Sequence, residues 1–176
     1  MKKLFFSFLF IFLSILVYSQ NCDAIIKENI SLKAQLGINT VNPEVEVKSF
    51  NNNFDFKILS CKGKSDDQTV TIEFLILHHQ VHKSVSLDAG DAKAYDISGN
   101  EFSGKSGFLG NDYAGSFSHT KIPTNIPFKG TITFKNILPS VEMFKFVSLP
   151  FSQENFDGGG DSSEGYAEIK NLKIEW

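Results

Sequence analysis

The stretch that decides the fold is VTIEFLI, residues 70–76. Val70, Ile72, Phe74 and Ile76 alternate with other residues, among them a threonine and a glutamate. Successive side chains of a β-strand point to opposite faces, so a period of two predicts a strand with one apolar face and one more polar face. The sequence therefore places a core strand here.

The same alternation continues outward from this strand. Before it, Phe54, Phe56 and Ile58 predict a first strand. After it, residues 81–87 predict a strand that pairs with its predecessor across a turn near His79. Further strands are predicted at 92–96, 101–102, 128–135, 141–149 and 166–176. Seven or eight short strands separated by turn signals predict an antiparallel β-sandwich.

Two segments depart from this simple alternation. Residues 103–124 are rich in Gly, Ser and Asn and predict a long irregular crossover, with Phe108, Leu109 and Phe117 as apolar anchors. In the last strand the apolar period slips by one residue at Asn171, which predicts a β-bulge there.

Three blocks of sequence carry a resemblance to a known family. They are residues 95–102 (YDISGNEF), residues 122–130 (IPTNIPFKG) with 133–137 (TFKNI), and residues 169–174 (IKNLKI). Together they resemble secreted bacterial immunoglobulin-like β-sandwich proteins of the telokin-like type. The resemblance covers roughly residues 54–176. It implies an immunoglobulin-like fold and supplies no catalytic residues, because this architecture hosts many unrelated functions.

The N-terminus predicts export. Lys2 and Lys3 precede an apolar run over residues 4–17, followed by a small polar stretch, as in a secretory signal peptide over residues 1–20. The apolar run is too short to span a membrane. The residues directly before Cys22 are not those of a lipoprotein signal, so we expect a secreted or periplasmic chain without a membrane anchor.

A short helix is predicted over residues 21–37, followed by a linker over 38–53 and the sandwich over 54–176. The helix has three-four spacing with Asn29 on its seam, a position where a polar residue can set the register of a two-stranded coiled coil. Two heptads are marginal for such a coil. Packing of the helix on its own domain is the alternative, and a monomer is expected over a homodimer.

Charge excludes nucleic acid as a partner. Loss of Lys2 and Lys3 with the signal would leave 15 basic against 20 acidic residues, a net charge of −5. The chain has no arginine, so clamps that use a guanidinium group for phosphate or carboxylate are absent from it.

The two cysteines, Cys22 and Cys61, allow three interpretations. In an oxidising compartment they can form an intramolecular disulfide. Alternatively, Cys22 pairs with its copy in a dimer and Cys61 is a buried, small apolar side chain. Reactive-thiol chemistry ranks last, because no histidine or asparagine partner is indicated.

Candidate metal ligands lie in two places. Histidines cluster near the end of the second predicted strand: His78, His79 and His82. Oxygen ligands stand in a glycine-rich loop: Asp157, Asp161 and Glu164. A zinc site needs three or four convergent ligands, and the loop lacks the ligand spacing of an EF-hand. A solvated hairpin tip and an acidic surface loop are therefore the simpler interpretations.

The sequence predicts no catalytic constellation and no cofactor. It has no Gly-x-Ser-x-Gly elbow and no complete phosphate-binding loop. We expect a non-catalytic binding or structural module whose partner is an unidentified protein or glycan. The alternatives are a metal-dependent or carbohydrate-active enzyme with a site built from loops, and an assembly module that dimerises through the N-terminal helix.

Overall fold

The computed structural model describes residues 44–79, 83–114, 119–155 and 162–176, and the regular elements in these ranges are β-strands. None of the described residues lies in a helix that could span a membrane. Several sequence predictions fall outside the described residues: the signal peptide, the helix over 21–37, Cys22, His82, Asp157 and Asp161.

Eleven strands are described. They are β1 (Glu46–Lys48), β2 (Phe54–Lys64), β3 (Thr69–His78), β4 (Lys83–Leu87), β5 (Lys93–Asp96), β6 (Glu101–Leu109), β7 (Asp112–Tyr113), β8 (Thr120–Ile122), β9 (Phe128–Lys135), β10 (Met143–Asn155) and β11 (Ser163–Lys173). The ladders between these strands are antiparallel, which confirms the predicted fold class at the level of a mainly β, antiparallel architecture.

The strands follow the order β1-β11-β10-β5-β6-β9-β3-β2. Strand β4 pairs with β10 and β8, and β7 pairs with β6. Strand β6 joins two layers, because its first residues pair with β5 and its later residues pair with β9. One layer contains β1, β11, β10, β5, β4 and β8, and the other contains β2, β3, β9, β7 and the end of β6.

Large side chains from both layers fill the space between them. Phe74 of β3 meets Phe151 of β10 edge-on, with ring centroids 6.0 Å apart. Phe134 of β9 meets Phe144 of β10 at 5.7 Å. Aromatic pairs of this kind contribute about 0.5–1.5 kcal/mol beyond the area they bury. The prediction for residues 70–76 is confirmed, because the four alternating apolar side chains of this segment are all fully buried.

The predicted pairing of β4 with β3 is wrong. Strand β3 already has β2 on one side and β9 on the other, so both of its hydrogen-bonding edges are occupied. The chain instead crosses to the other layer, where β4 lies between β10 and β8. Val85 and Leu87 of β4 are fully buried there.

The prediction of an irregular crossover over residues 103–124 is also wrong for much of its described part. Strand β6 continues through the Gly- and Ser-rich segment to Leu109, and β7 and β8 follow. Gly and Ser have low intrinsic strand propensity. Here the ladder to β9 holds the backbone of β6, so tertiary pairing overrides the local preference. Glu46–Lys48, in the segment predicted to be a linker, forms β1 and pairs with β11.

The last residues of the chain connect the two layers at one edge. The Glu175 amide donates to the Cys61 carbonyl at 2.9 Å, and the Gly63 amide donates to the Glu175 carbonyl at 2.7 Å. Lys62 and Glu175 form a parallel bridge. The tail after β11 therefore extends the sheet edge at β2, which belongs to the opposite layer.

Candidate binding site at the β6–β7 hairpin

His78, a predicted metal ligand, is buried at the end of β3. Its Nε2 lies 2.7 Å from the carbonyl oxygen of Ile122. A carbonyl can only accept, so Nε2 carries the proton and donates. His78 Nδ1 has no hydrogen-bond partner among the described residues. The hydrogen bond from His78 thus links the end of β8 to the end of β3.

His79 is exposed and lies between two polar side chains. Its Nε2 is 2.9 Å from Asp55 Oδ2, and its Nδ1 is 3.0 Å from Asn125 Oδ1. The hydrogen bond with Asp55, followed by that with Asn125, raises the pKa of His79 above its ordinary value. Nδ1 thus contacts the turn after β8 and Nε2 contacts β2, so neither ring nitrogen points to an open ligand position.

Glu164 lies elsewhere, in β11, and lines a cavity of about 200 Å³ together with Asp88 and Asp91. Within the described ranges, no group of three or more His, Cys, Asp or Glu side chains is placed to hold a metal ion. The structure therefore does not bring the predicted ligands His78, His79 and Glu164 together. The other three predicted ligands lie outside the described residues.

Cys61 is a free thiol in the structure and is only 3% exposed. Burial, with a smaller contribution from Glu175, raises its pKa to about 12. A register shift between Ile58 and Ser60 of β2 turns Cys61 toward the core. Cys22, its partner in the candidate disulfide, lies outside the described residues. The interpretation of Cys61 as a buried, small apolar side chain fits its position.

A groove of about 530 Å³ lies beside the β6–β7 hairpin, and we call it the hairpin groove. Its lining residues are Gly110, Asn111, Asp112, His119, Thr120, Lys121 and Phe128. Its volume falls in the usual range for small-molecule sites, about 300–1,000 Å³. None of the candidate metal ligands named from the sequence is among these residues.

A tight turn builds one wall of the hairpin groove. Leu109 pairs with Asp112, and Gly110 and Asn111 form the two-residue connection between β6 and β7. Gly110 has a φ of 61°, a conformation that glycine adopts without strain. A side chain at this position would also collide with Phe128, since an added Cβ would lie 2.7 Å from its ring. The turn therefore places Gly110 against the ring of Phe128 and leaves Asn111 exposed at the tip.

Two polar side chains of the hairpin groove contact neighbouring strands. The Thr120 hydroxyl donates to Asp112 Oδ2 at 3.1 Å, which links β8 to the hairpin. His119 Nδ1 lies 3.5 Å from Glu154 Oε1 on β10. The carboxylate of Asp112 is thus held by the hydroxyl of a buried threonine, which lowers the entropic cost of ordering that side chain on binding.

The opposite face of the hairpin carries two exposed aromatic side chains. The rings of Phe108 and Tyr113 meet edge-on, with their centroids 5.6 Å apart. Phe108 is 41% exposed and Tyr113 is 57% exposed. The sequence does contain a hairpin pattern here, because Gly110-Asn111 separates two short segments that contain these aromatic residues. The pattern was missed because the surrounding residues are rich in Gly and Ser and predict a loop.

Comparison with known proteins gives few matches. No protein-family model matches the chain, and no curated protein matches it. Among solved structures the chain is similar to PapD-like domain 7, an ASH/PapD-like domain, of human CEP192, with 12% identity, coverage of 74% of this chain and 83% of that chain, and a TM-score of 0.38. It is also similar to the CooA pilin subunit from enterotoxigenic Escherichia coli, with 9% identity, coverage of 75% and 96%, and a TM-score of 0.39.

Proposed function

We propose that this chain is an exported, non-catalytic binding module with an immunoglobulin-like β-sandwich of the telokin-like type, and that it binds a small ligand in the hairpin groove. The observation that carries the proposal is the groove itself. It is open to solvent and is lined by Phe128 together with polar residues of the hairpin and of β8. Polar groups beside an aromatic side chain can fix the orientation of a small ligand.

Two polar side chains of the hairpin groove have partners within the fold. Asp112 accepts a hydrogen bond from Thr120, and His119 Nδ1 lies 3.5 Å from a carboxylate oxygen of Glu154. Asn111, an exposed residue at the tip, is suited to contact a ligand without chemistry, because an amide donates and accepts.

A ligand-observed NMR screen of the purified full chain against a library of small polar compounds tests the proposal. Asn111→Ala removes the amide at the tip of the hairpin groove. Asn52→Ala is the matched control, because Asn52 is also an exposed asparagine in a turn and does not line the groove. We expect hits whose signals disappear with Asn111→Ala and persist with Asn52→Ala. Hits that are lost equally in both variants, or no hits at all, would contradict the proposal.

A further inference from the structure

The turn between β8 and β9 carries the chain from one layer to the other, and the end of β3 holds this turn. His78 Nε2 donates to the Ile122 carbonyl at 2.7 Å, and the Asn125 amide donates to the His78 carbonyl at 2.9 Å. His79 adds a third contact, since its Nδ1 lies 3.0 Å from Asn125 Oδ1. Two adjacent histidines are thus bonded to one short turn. We call these four residues, together with Asp55, the histidine clasp.

The two histidines of the clasp differ in their contact with solvent. His78 is fully buried, whereas the side chain of His79 is 52% exposed. An oxygen atom faces each ring nitrogen of His79, because Asp55 Oδ2 lies 2.9 Å from Nε2 and Asn125 Oδ1 lies 3.0 Å from Nδ1. An imidazole that donates from both nitrogens carries two ring protons and a positive charge. The geometry around His79 therefore suits the charged form.

The charge that faces His79 within the described residues comes from Asp55 on β2. The turn itself, residues 123–127, contains no titratable side chain. The next charged side chains on this face of the sheet, Lys57 and Lys129, flank Leu75. Leu75 lies four residues before His79, which is about 13 Å along a strand. Salt screens exposed charges at that distance, so Asp55 is the charged group that decides the protonation of His79.

We infer that the histidine clasp is a pH-sensitive switch, which holds the turn between β8 and β9 while His79 carries both ring protons and loosens when His79 loses one of them. Loss of the proton on Nδ1 removes the hydrogen bond to Asn125. Loss of the proton on Nε2 removes the hydrogen bond to Asp55, and either loss removes the attraction between the two charges. The two bonds of His78 remain, so the turn loosens without detaching. The inference does not depend on ligand binding in the hairpin groove.

The direction of the pH dependence follows from the contacts of His79. The hydrogen bond with Asp55, followed by that with Asn125, raises the pKa of His79 above its ordinary value of 6.5. A histidine whose pKa is raised by folding contributes stability that is fully present below pH 6.5 and is lost as the pH rises through the raised value. The clasp should therefore be closed in mild acid and should loosen above pH 6.5.

Long-range 1H–15N NMR of the full chain, recorded from pH 5 to pH 9, measures the protonation of both ring nitrogens of His79. We expect a ring that is mostly doubly protonated at pH 6.5 and a titration midpoint above this value. Asp55→Asn should lower the midpoint, because the amide keeps an oxygen acceptor but loses the charge. Asp66→Asn is the matched control. It removes the same charge at an exposed position in another turn and should leave the midpoint unchanged.

Hydrogen exchange of the Asn125 amide measures the turn directly, because this amide donates to the His78 carbonyl. After correction for the intrinsic exchange rate, its exchange should become about twofold to fivefold faster as the pH rises through the His79 midpoint, as expected for an exposed charge pair. The Ile137 amide, which donates to the Gln68 carbonyl at the other end of β3, should show no such step. His79→Gln should abolish the step at Asn125.

Three results would overturn the inference. A His79 midpoint at or below pH 6.5 would mean that one ring nitrogen accepts a hydrogen bond, with the Asn125 amide turned around. A raised midpoint without a step in Asn125 exchange would mean that the proton does not control the turn. A step that persists in His79→Gln would assign the pH dependence to another group. Circular dichroism checks that each variant folds, and if Asp55→Asn does not, the wild-type midpoint and the His79→Gln exchange data decide.

Discussion

The ammonium group of Lys145 donates a hydrogen bond to the side-chain oxygen of Asn171 at 2.6 Å. These two residues lie side by side in β10 and β11, at the place where both strands change which side chains face the core. In β11 the buried positions pass from Ile169 to Leu172, and in β10 they pass from Phe144 to Val147. The two slips occur together, so the register between the strands is unchanged.

The backbone of Asn171 makes this slip possible, because its φ of 58° lies in the left-handed region. Asparagine tolerates that region better than most residues, and glycine tolerates it best. We predict that Asn171→Ala lowers the free energy of unfolding by about 1–2 kcal/mol, through backbone strain and loss of the bond from Lys145. Asn171→Gly should cost about 1 kcal/mol less than Asn171→Ala. Urea denaturation measures both, and equal losses would contradict the role assigned to the backbone.

The turn between β5 and β6 depends on Asp96. One carboxylate oxygen accepts from the amides of Ser98 and Asn100, each at 2.9 Å, and the other accepts from the Asn100 side chain at 2.8 Å. We predict that Asp96→Ala destabilises the chain by about 2–3 kcal/mol, since it leaves several donors without their acceptor. Thermal or urea unfolding at neutral pH measures this loss. Asp66→Ala, at an exposed position in another turn, is the control and should have little effect.

The contribution of Asp96 should also depend on pH. Burial raises its pKa, but the hydrogen bonds from Asn100, Ser98 and Gly99 together outweigh burial, and the pKa lies below its ordinary value of 3.8. The stabilisation is therefore present above pH 3.8 and is lost as the pH falls through the lowered pKa of the folded state. The stability difference between the wild type and Asp96→Ala should shrink in acid. A difference that grows below pH 3.8 would contradict this.

Gly63 lies against the ring of Trp176. An added Cβ would stand 2.2 Å from the ring, whose Nε1 donates to the Val141 carbonyl at 2.9 Å. We predict that Gly63→Ala displaces the ring and costs about 1–2 kcal/mol. The fluorescence of Trp176, the sole tryptophan, should shift to longer wavelength. In a Trp176→Ala background the same substitution should cost far less, and additive losses in the double-mutant cycle would count against the contact.

The buried thiol of Cys61 should be unreactive in the folded chain. With its pKa raised to about 12 by burial, little thiolate forms at pH 8, and the thiolate is the reactive species. In a Cys22→Ser variant, a thiol reagent such as DTNB should label Cys61 only as fast as the protein unfolds. Rapid labelling of the native variant would show that the thiol is accessible. In the wild type, denaturation without reductant should expose two thiols if both cysteines are free and none if they form a bridge.

Local patterns predicted those parts of the fold that depend on alternation and turn chemistry. The burial of alternate residues from Val70 to Ile76 follows from a period of two, and the slip at Asn171 is visible in the apolar pattern of β11. The β-bulge predicted there is wrong, because β10 and β11 keep their pairing register past Asn171. Strand β6 was not predictable in the same way, because its Gly and Ser residues favour a loop locally and only the ladders to β5 and β9 make it a strand.

The hairpin groove could not be predicted from local sequence. Asp112 and Thr120 are eight positions apart, and their hydrogen bond depends on β8 pairing with β4 in the other layer. Phe128 enters the groove because Gly110 leaves room beside its ring. His78 and His79 were predicted as metal ligands because histidine commonly binds metals. In the structure they form hydrogen bonds with the end of β8 and with the turn that follows it.

Amide chemical-shift mapping of the 15N-labelled full chain tests the hairpin groove as the ligand site most directly. The chain would be titrated in turn with the compounds that the ligand-observed screen selects. We predict saturable shifts at Gly110, Asn111, Asp112, Thr120 and Lys121 for at least one compound, with the amides of β2 unchanged. Saturable shifts confined to another surface, such as the cavity that Asp88 and Glu164 line, would contradict the assignment of the groove as the ligand site. The absence of saturable shifts with every compound would contradict it as well.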